Sequence, residues 1–354
     1  MSMDRWRDAH TVLLPAIEYL FLCEHVERYL ANGGCSILLG ETREEYVARA
    51  MSTERKASET KDSFVRITRR VKELAGDAII AVDQEIGGID RLHSLVPQFF
   101  SADEWRTADL DAIESEAARL AESAKALGVN CFLAPILDVV TGENPWLHGR
   151  TISADPDVVG EVSSAFIRGV QSVGVAATAK HFPGHHHIPL DPAVNATALV
   201  HGDSAAYVPG FAPFSDPIRN GVELVMIGPA IVDAFDSDRP AGLSNAITTL
   251  LRNRFQFTGL VMSDGLEAPA TRKNSSIPDV AIEALRAGCD LLLLSAGPQL
   301  EEVASAICNA VARGTLPDHR LSEAASRVRA LAAKYRSYSS RVQPRRTGKD
   351  ARRV

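Results

Sequence analysis

The segment from Ala179 to Asp191 reads AKHFPGHHHIPLD and carries one lysine, four histidines and an aspartate. An apolar, β-branched run at 173–178 precedes it and reads as a buried strand. Ionisable groups at the end of a buried strand cost desolvation free energy unless partners or a ligand satisfy them. A substrate pocket is the usual setting for such a cluster. Asp264 is the next candidate. It ends the run TGLVMS at 258–263 and precedes Gly265, so its carboxylate could attack an electrophilic carbon from a fixed position. Aspartate at this place serves equally as a helix N-cap. Asp83, Glu85 and Arg91 lie together in DQEIGGIDR. A carboxylate and a guanidinium on one loop can make paired hydrogen bonds to a polyhydroxyl ligand, or can pair with each other. Arg150 stands in NPWLHGRT, a long irregular loop of the kind that is often functional, though a solvated surface arginine would look the same. His185, His186 and His187 are adjacent, so their side chains diverge in an extended loop. With no HExxH-like spacing beside them, no metal site is expected.

The elements that must position these residues are short. Apolar runs at 36–39, 78–82, 131–134, 175–178, 224–227, 260–262 and 290–294 read as strands. Between them, 107–127, 157–172 and 278–287 place apolar residues three and four apart, as helices do. Gly128 and Gly288 follow two of these helices as left-handed C-terminal residues. Alternating strands and helices imply a parallel sheet with helices outside. The expected fold is α/β, a (β/α)8 TIM-type barrel that is irregular or incomplete, since seven strands are visible and an eighth is not. An open doubly wound sheet is the second choice, weakened because no Gly-rich dinucleotide fingerprint follows the first strand. In a barrel all strand C-termini share one face. Asp83, Asp138, Lys180, His181 and Asp264 each end or follow a strand, so residues far apart in sequence should converge there.

At 354 residues and 45% hydrophobic, the chain can bury a large core. It is expected to be one barrel domain over 1–335, with a basic, disordered tail at 336–354 carrying Arg336, Arg341, Arg345, Arg346, Lys349, Arg352 and Arg353. The net charge of -7 argues against nucleic acid as a partner. The five cysteines form no CxxC pair and suggest small core residues rather than disulfides or zinc ligands. Neither a signal-peptide core nor a run of transmembrane length is visible, so no membrane partner and a cytoplasmic location are expected. No cofactor is expected. The oligomeric state is not legible.

Four blocks in order, VDQEIGGIDRL at 82–92, APILDV through NPWLHGRT at 134–151, AKHFPGH at 179–185, and RPAGLS through GLVMSDGL at 239–266, resemble glycoside hydrolase family 3. The likeness is to its short branch of bacterial β-N-acetylglucosaminidases. That resemblance implies an irregular barrel, a retaining exo-acting mechanism and a small saccharide or glycoconjugate as substrate. Asp264 matches the family nucleophile. Asp83, Arg91, Arg150, Lys180 and His181 match its sugar-binding set.

The departure concerns proton transfer. The branch normally carries an aspartate and a histidine as acid/base dyad after the third block. Asp191 matches the aspartate, but the histidine position holds Ala193. Ile86 and Gly88 also replace a glycine and an arginine of the family pattern. His186 or His187 is the expected substitute, since imidazole titrates near neutral pH. Three readings follow: a β-N-acetylhexosaminidase with an atypical acid/base, a relative that transfers or phosphorolyses, and a noncatalytic sugar binder.

Overall fold

The computed structural model describes residues 2–101, 104, 107–202 and 208–340. Its strands are β1 (Leu13–Ile17), β2 (Ser36–Leu39), β3 (Ile79–Val82), β4 (Cys131–Phe132), β5 (Ala176–Phe182), β6 (Leu199–Val200), β7 (Leu224–Ile227), β8 (Ile231–Val232), β9 (Asp236–Pro240), β10 (Leu260–Ser263) and β11 (Leu292–Ser295). Eight of them form one sheet in the order β10-β7-β5-β4-β3-β2-β1-β11. Neighbours in it are parallel, and a parallel bridge between Met262 and Leu291 joins its two ends into a nearly closed barrel. The expected barrel is therefore present, and the open sheet is not.

The eighth strand is β1, which the sequence reading passes over. Its sequence is LLPAI, and a proline inside a run argues against a central strand because it cannot donate to the ladder. The register resolves the conflict. Pro15 stands opposite Leu294 on β11, whereas pairing with β2 begins only at Ala16. β6, β8 and β9 form a separate small sheet; the two-residue β6 and β8 are too short to leave a periodic signal.

Barrel strands are buried on both faces, so they read as continuous apolar runs. On β2, Ile37 and Leu39 pack outward with the helix-facing core, while Leu38 points into the lumen with Leu14, Ile79, Leu133, Met226 and Met262. Val328, Leu331, Ala332 and Tyr335 of the helix Asp318–Ser340 join that lumen cluster and plug the end where the strands begin. The helix Leu110–Ala126 turns Ile113, Ala117, Leu120, Ala121 and Ala124 inward, and Asp109 caps it at the Ala112 amide. Gly288 ends the helix Ile277–Ala287 with φ +116°, where a Cβ would also press on Thr248 at 2.9 Å. No described helix is long and apolar enough to cross a membrane. The helix Asp318–Ser340 runs five residues past the expected domain end, and from residue 341 the basic tail lies outside the described residues.

Candidate active site

The unplugged end of the barrel opens into a cavity of about 510 Å³. Leu38, Leu133, Met226 and Leu293 form its apolar floor, continuous with the lumen. Asp83 follows β3, Lys180 and His181 belong to β5, Asp264 follows β10, and Arg150 comes from the long loop after β4; all five line the cavity. Consecutive strand residues ordinarily face opposite ways. Lys180 and His181 share the cavity because the register of β5 against β7 shifts between Lys180 and Phe182, a local irregularity of the kind found beside functional sites.

One wall is a buried charge cluster. Lys180 Nζ lies 2.7 Å from Asp83 Oδ1 and 2.7 Å from Glu85 Oε1. Arg150 grips Glu85 with two nitrogens, Nη2 to Oε1 at 2.6 Å and Nε to Oε2 at 3.1 Å. Burial alone would raise Glu85, but Arg150 and Lys180 together hold it well below the usual carboxylate range. Burial works against the Lys180 ammonium too, yet Asp83 and Glu85 outweigh it and raise its pKa. Asp83 moves upward: burial raises it, and the ammonium of Lys180 pulls against that. Tyr46 completes this wall, accepting hydrogen bonds from Trp146 Nε1 at 2.9 Å and Arg150 Nη1 at 3.3 Å.

A second buried carboxylate, Asp138, organises the His181 side of the cavity. Asp138 accepts from the His181 and His185 amides at 2.9 and 2.7 Å and contacts both Nδ1 atoms, at 2.8 and 3.1 Å. Despite full burial, these histidine contacts hold its carboxyl far below the usual range. A carboxylate against Nδ1 assigns the proton to that nitrogen. Burial lowers the His181 pKa, against the pull of Asp138, and keeps the ring neutral. Its Nε2 therefore turns a lone pair toward the cavity, 3.9 Å from Asp264 Oδ2 and too far for a hydrogen bond. The Trp146 ring packs on His181 at 4.5 Å between centroids and fixes its tilt. Asp264 Oδ1 accepts from the Gly265 amide at 2.6 Å, which leaves Oδ2 for chemistry.

The structure thus gathers Asp83, Arg150, Lys180, His181 and Asp264. Four other expected residues stand elsewhere. Arg91 does not line the cavity. Its fully buried guanidinium meets Glu59 at 2.7 and 2.8 Å, and its Nε donates to the Gly40 carbonyl at 2.6 Å, so it pins the segment after β2. Asp191 closes a turn, with Oδ1 on the Ala193 amide at 2.8 Å and its carbonyl on the Val194 and Asn195 amides. The His186 carbonyl accepts from the Thr141 and Gly142 amides. The His187 ring covers Gly142 so closely that a Cβ there would sit 2.2 Å from Nδ1. The His186 backbone and the His187 ring thus meet the loop after β4, and neither histidine lines the cavity. It is Ala193, at the position of the family histidine, that lines the cavity. Sequence reasoning also missed Glu41 and Tyr46 as lining residues. The only available signal for Glu41 was a carboxylate just past a strand end. Among the described residues no group of three or more His, Cys, Asp or Glu side chains is placed to hold a metal ion.

A parallel barrel with ionisable side chains gathered where its strands end is one class of protein to which this chain belongs. The particular family follows from its sequence: the glycosyl hydrolase family 3 N terminal domain profile matches residues 33–331, and the chain is a member of that family. It is 34% identical over 233 residues to a beta-hexosaminidase of Nitrosomonas eutropha, covering 62% of this chain and 65% of the relative. Against a beta-hexosaminidase of Methylococcus capsulatus it is 29% identical over 242 residues, covering 67% and 72%. The chain thus spans just under two thirds of the first relative's length. Its fold is that of a glycoside hydrolase family 3 beta-N-acetylglucosaminidase from a Paenibacillus species, with TM-score 0.84 and 23% identity over 98% of this chain and 64% of that one. A beta-N-acetylhexosaminidase from Beutenbergia cavernae superposes with TM-score 0.80 and 23% identity, over 94% of this chain and 99% of the other.

Proposed function

We propose that the chain is a retaining, exo-acting β-N-acetylhexosaminidase that works through Asp264 and has no proton donor on the loop after β5. The carrying observation is the position of Asp264: one carboxylate oxygen is fixed by the Gly265 amide and the other is free, in a cavity shared with Asp83, Arg150, Lys180 and His181. The beta-hexosaminidase names of its relatives support the choice of sugar. In this reading Asp264 Oδ2 forms a bond to the anomeric carbon as the glycosidic C–O bond breaks, and the departing oxygen takes the electron pair. Water then adds to that carbon from the vacated side, releases a proton to solvent, and returns Asp264 to its carboxylate. Hydrogen bonds from the cluster to the sugar hydroxyls tighten as the ring flattens, which lowers the barrier.

Ala193 decides which substrates suit such a site. A general acid contributes about 10²–10⁴-fold in rate, chiefly for poor leaving groups. A cavity lined by a methyl group in place of an imidazole favours substrates whose leaving group departs unaided, or whose sugar passes to an acceptor such as phosphate. The test is turnover of nitrophenyl β-N-acetylglucosaminide and of N,N′-diacetylchitobiose, with and without phosphate. Fast release from the aryl glycoside and slow release from the disaccharide support the reading. A sugar phosphate as product favours transfer. Absence of turnover on every aryl β-glycoside, together with failure of a fluorosugar to label Asp264, defeats the hydrolase and leaves a sugar binder.

A further inference from the structure

Glu18, Glu41 and Glu267 line the cavity without a part in the proposed chemistry, and of these only Glu41 has a buried carboxylate oxygen with no partner. Glu41 follows β2, lines the cavity, and makes no hydrogen bond among the described residues; its Oε2 is buried without a partner. Its backbone is held on both sides. The Gly40 amide donates to the Ile17 carbonyl at 2.9 Å, and the Gly40 carbonyl accepts from Arg91. Thr42 next to it begins the capping box of the helix Arg43–Ala48. The side chain is therefore delivered to the cavity on a fixed stem rather than on a free loop.

Charge counting settles its state. Facing Glu41 are Asp83 and Glu85 from the β3 end, Lys180 from β5, and Arg91. Glu18 and Arg43 line the same cavity. Lys180 is held by Asp83 and Glu85, and Arg150 by Glu85. Arg91 and Arg55 are both taken by Glu59, and Arg55 by Glu45 as well. Lys180 and Arg91, the cations that face it, already have carboxylates, and Arg43 on the same cavity donates to the Ala193 carbonyl, so Glu41 has no ion-pair partner among the described residues. Glu41 is half-buried with Oε2 sealed from water, and an uncompensated carboxylate in such a place is driven toward its protonated form. Burial first, then the nearness of Asp83, push its pKa up to about 8.

We infer that Glu41 is a specificity-determining residue: its protonated carboxyl donates a hydrogen bond to the same ligand hydroxyl that donates to Asp83. A sugar hydroxyl is both donor and acceptor, so it satisfies an acid and a carboxylate side by side; an ammonium group could not accept from the acid. The assignment rests on the saccharide reading above. It places Glu41 at the hydroxyl-binding end, with the Asp83 cluster, and gives it no part in bond cleavage.

The experiment has two arms. Difference infrared spectroscopy of the ligand-free wild type against Glu41→Gln, near neutral pH, reads the proton without any sugar. A protonated-carboxyl band that disappears in the variant is expected, and its absence overturns the inference. Calorimetry with N-acetylglucosamine from about pH 6 to about pH 9.5 reads the contact. Wild-type affinity should fall about tenfold per pH unit above the Glu41 pKa, because ionisation removes the donor and sets a second anion beside Asp83. Glu41→Gln, which cannot ionise, should lose this alkaline dependence. Glu41→Ala should lose it too and bind up to about tenfold more weakly at low pH. Identical profiles for wild type and Glu41→Gln overturn the inference while leaving the hydrolase intact. Tighter binding of glucosamine than of N-acetylglucosamine at about pH 6, where the amine is charged, overturns it in favour of cation recognition. If the wild type neither binds N-acetylglucosamine nor turns over an aryl glycoside, the saccharide reading falls and the sugar contact falls with it.

Discussion

On the side of the cavity formed by β3 and β5, Asp83, Glu85, Lys180 and Arg150 are buried and each finds a charged partner within 2.7 Å. The loop that follows β5, from His185 to Ala193, carries three histidines and an aspartate, yet offers the cavity only Ala193. The first side has the preorganisation a binding surface needs, because its geometry is set before a ligand arrives. In the second, the polar groups serve the loop's own fold. Richness in ionisable residues is thus a poor guide to chemistry. What separates the two is which backbone positions the barrel turns inward.

The contrast can be broken most completely at Asp264. Asp264→Asn should abolish turnover of nitrophenyl β-N-acetylglucosaminide while N-acetylglucosamine still binds, as read by calorimetry. Installing the missing group should sharpen it. Ala193→His places an imidazole at the cavity lining two residues from Asp191, and the rate on N,N′-diacetylchitobiose relative to the aryl glycoside should rise by up to about 10²–10⁴-fold. Next comes Asp138. Replacement by Asn puts an amide NH₂ among four donors, and urea unfolding should show a loss of about 3–5 kcal/mol. Its depressed pKa adds a pH signature. The carboxylate's contribution is complete above the unfolded aspartate value of about 3.9 and is lost as pH falls below it. The gap between wild type and Asp138→Asn should therefore narrow in acid. Arg91→Met should cost less, about 2 kcal/mol by thermal unfolding, since Glu59 keeps Arg55. Its KM for the aryl glycoside should rise by no more than about tenfold, through loosening of the Gly40–Glu41 stem that the guanidinium holds, because the guanidinium itself does not line the cavity. Smallest of all, His187→Ala should leave turnover of both substrates within about twofold.

Much of this was legible in advance, for reasons that differ by residue. β2, β3, β5, β7 and β10 announce themselves as apolar runs, and a carboxylate or lysine directly after such a run is a site candidate because the barrel collects strand ends. Asp83, Lys180 and Asp264 reach the cavity lining by this route. β1 was hidden by Pro15, whose tolerance depends on the register of its neighbours. Arg91 was misplaced because its partner, Glu59, lies 32 residues away on another element. Nothing local tells a guanidinium that grips a ligand from one that grips the scaffold. His186 and His187 misled because imidazoles signal chemistry by type, while their placement depends on the distant contacts at Thr141 and Gly142. Glu41 was passed over because a polar residue after a strand looks like the start of a loop.

The relay Arg91–Glu59–Arg55–Glu45 has a consequence for how the native chain comes apart. Residues 41–59 connect two barrel layers and would ordinarily be the first stretch nicked by a protease. Here two arginines and two glutamates, all with side chains less than 10% exposed, lock that excursion to the body of the fold. Its amides should exchange, and its bonds yield to trypsin, only at the pace of global opening rather than by local fraying.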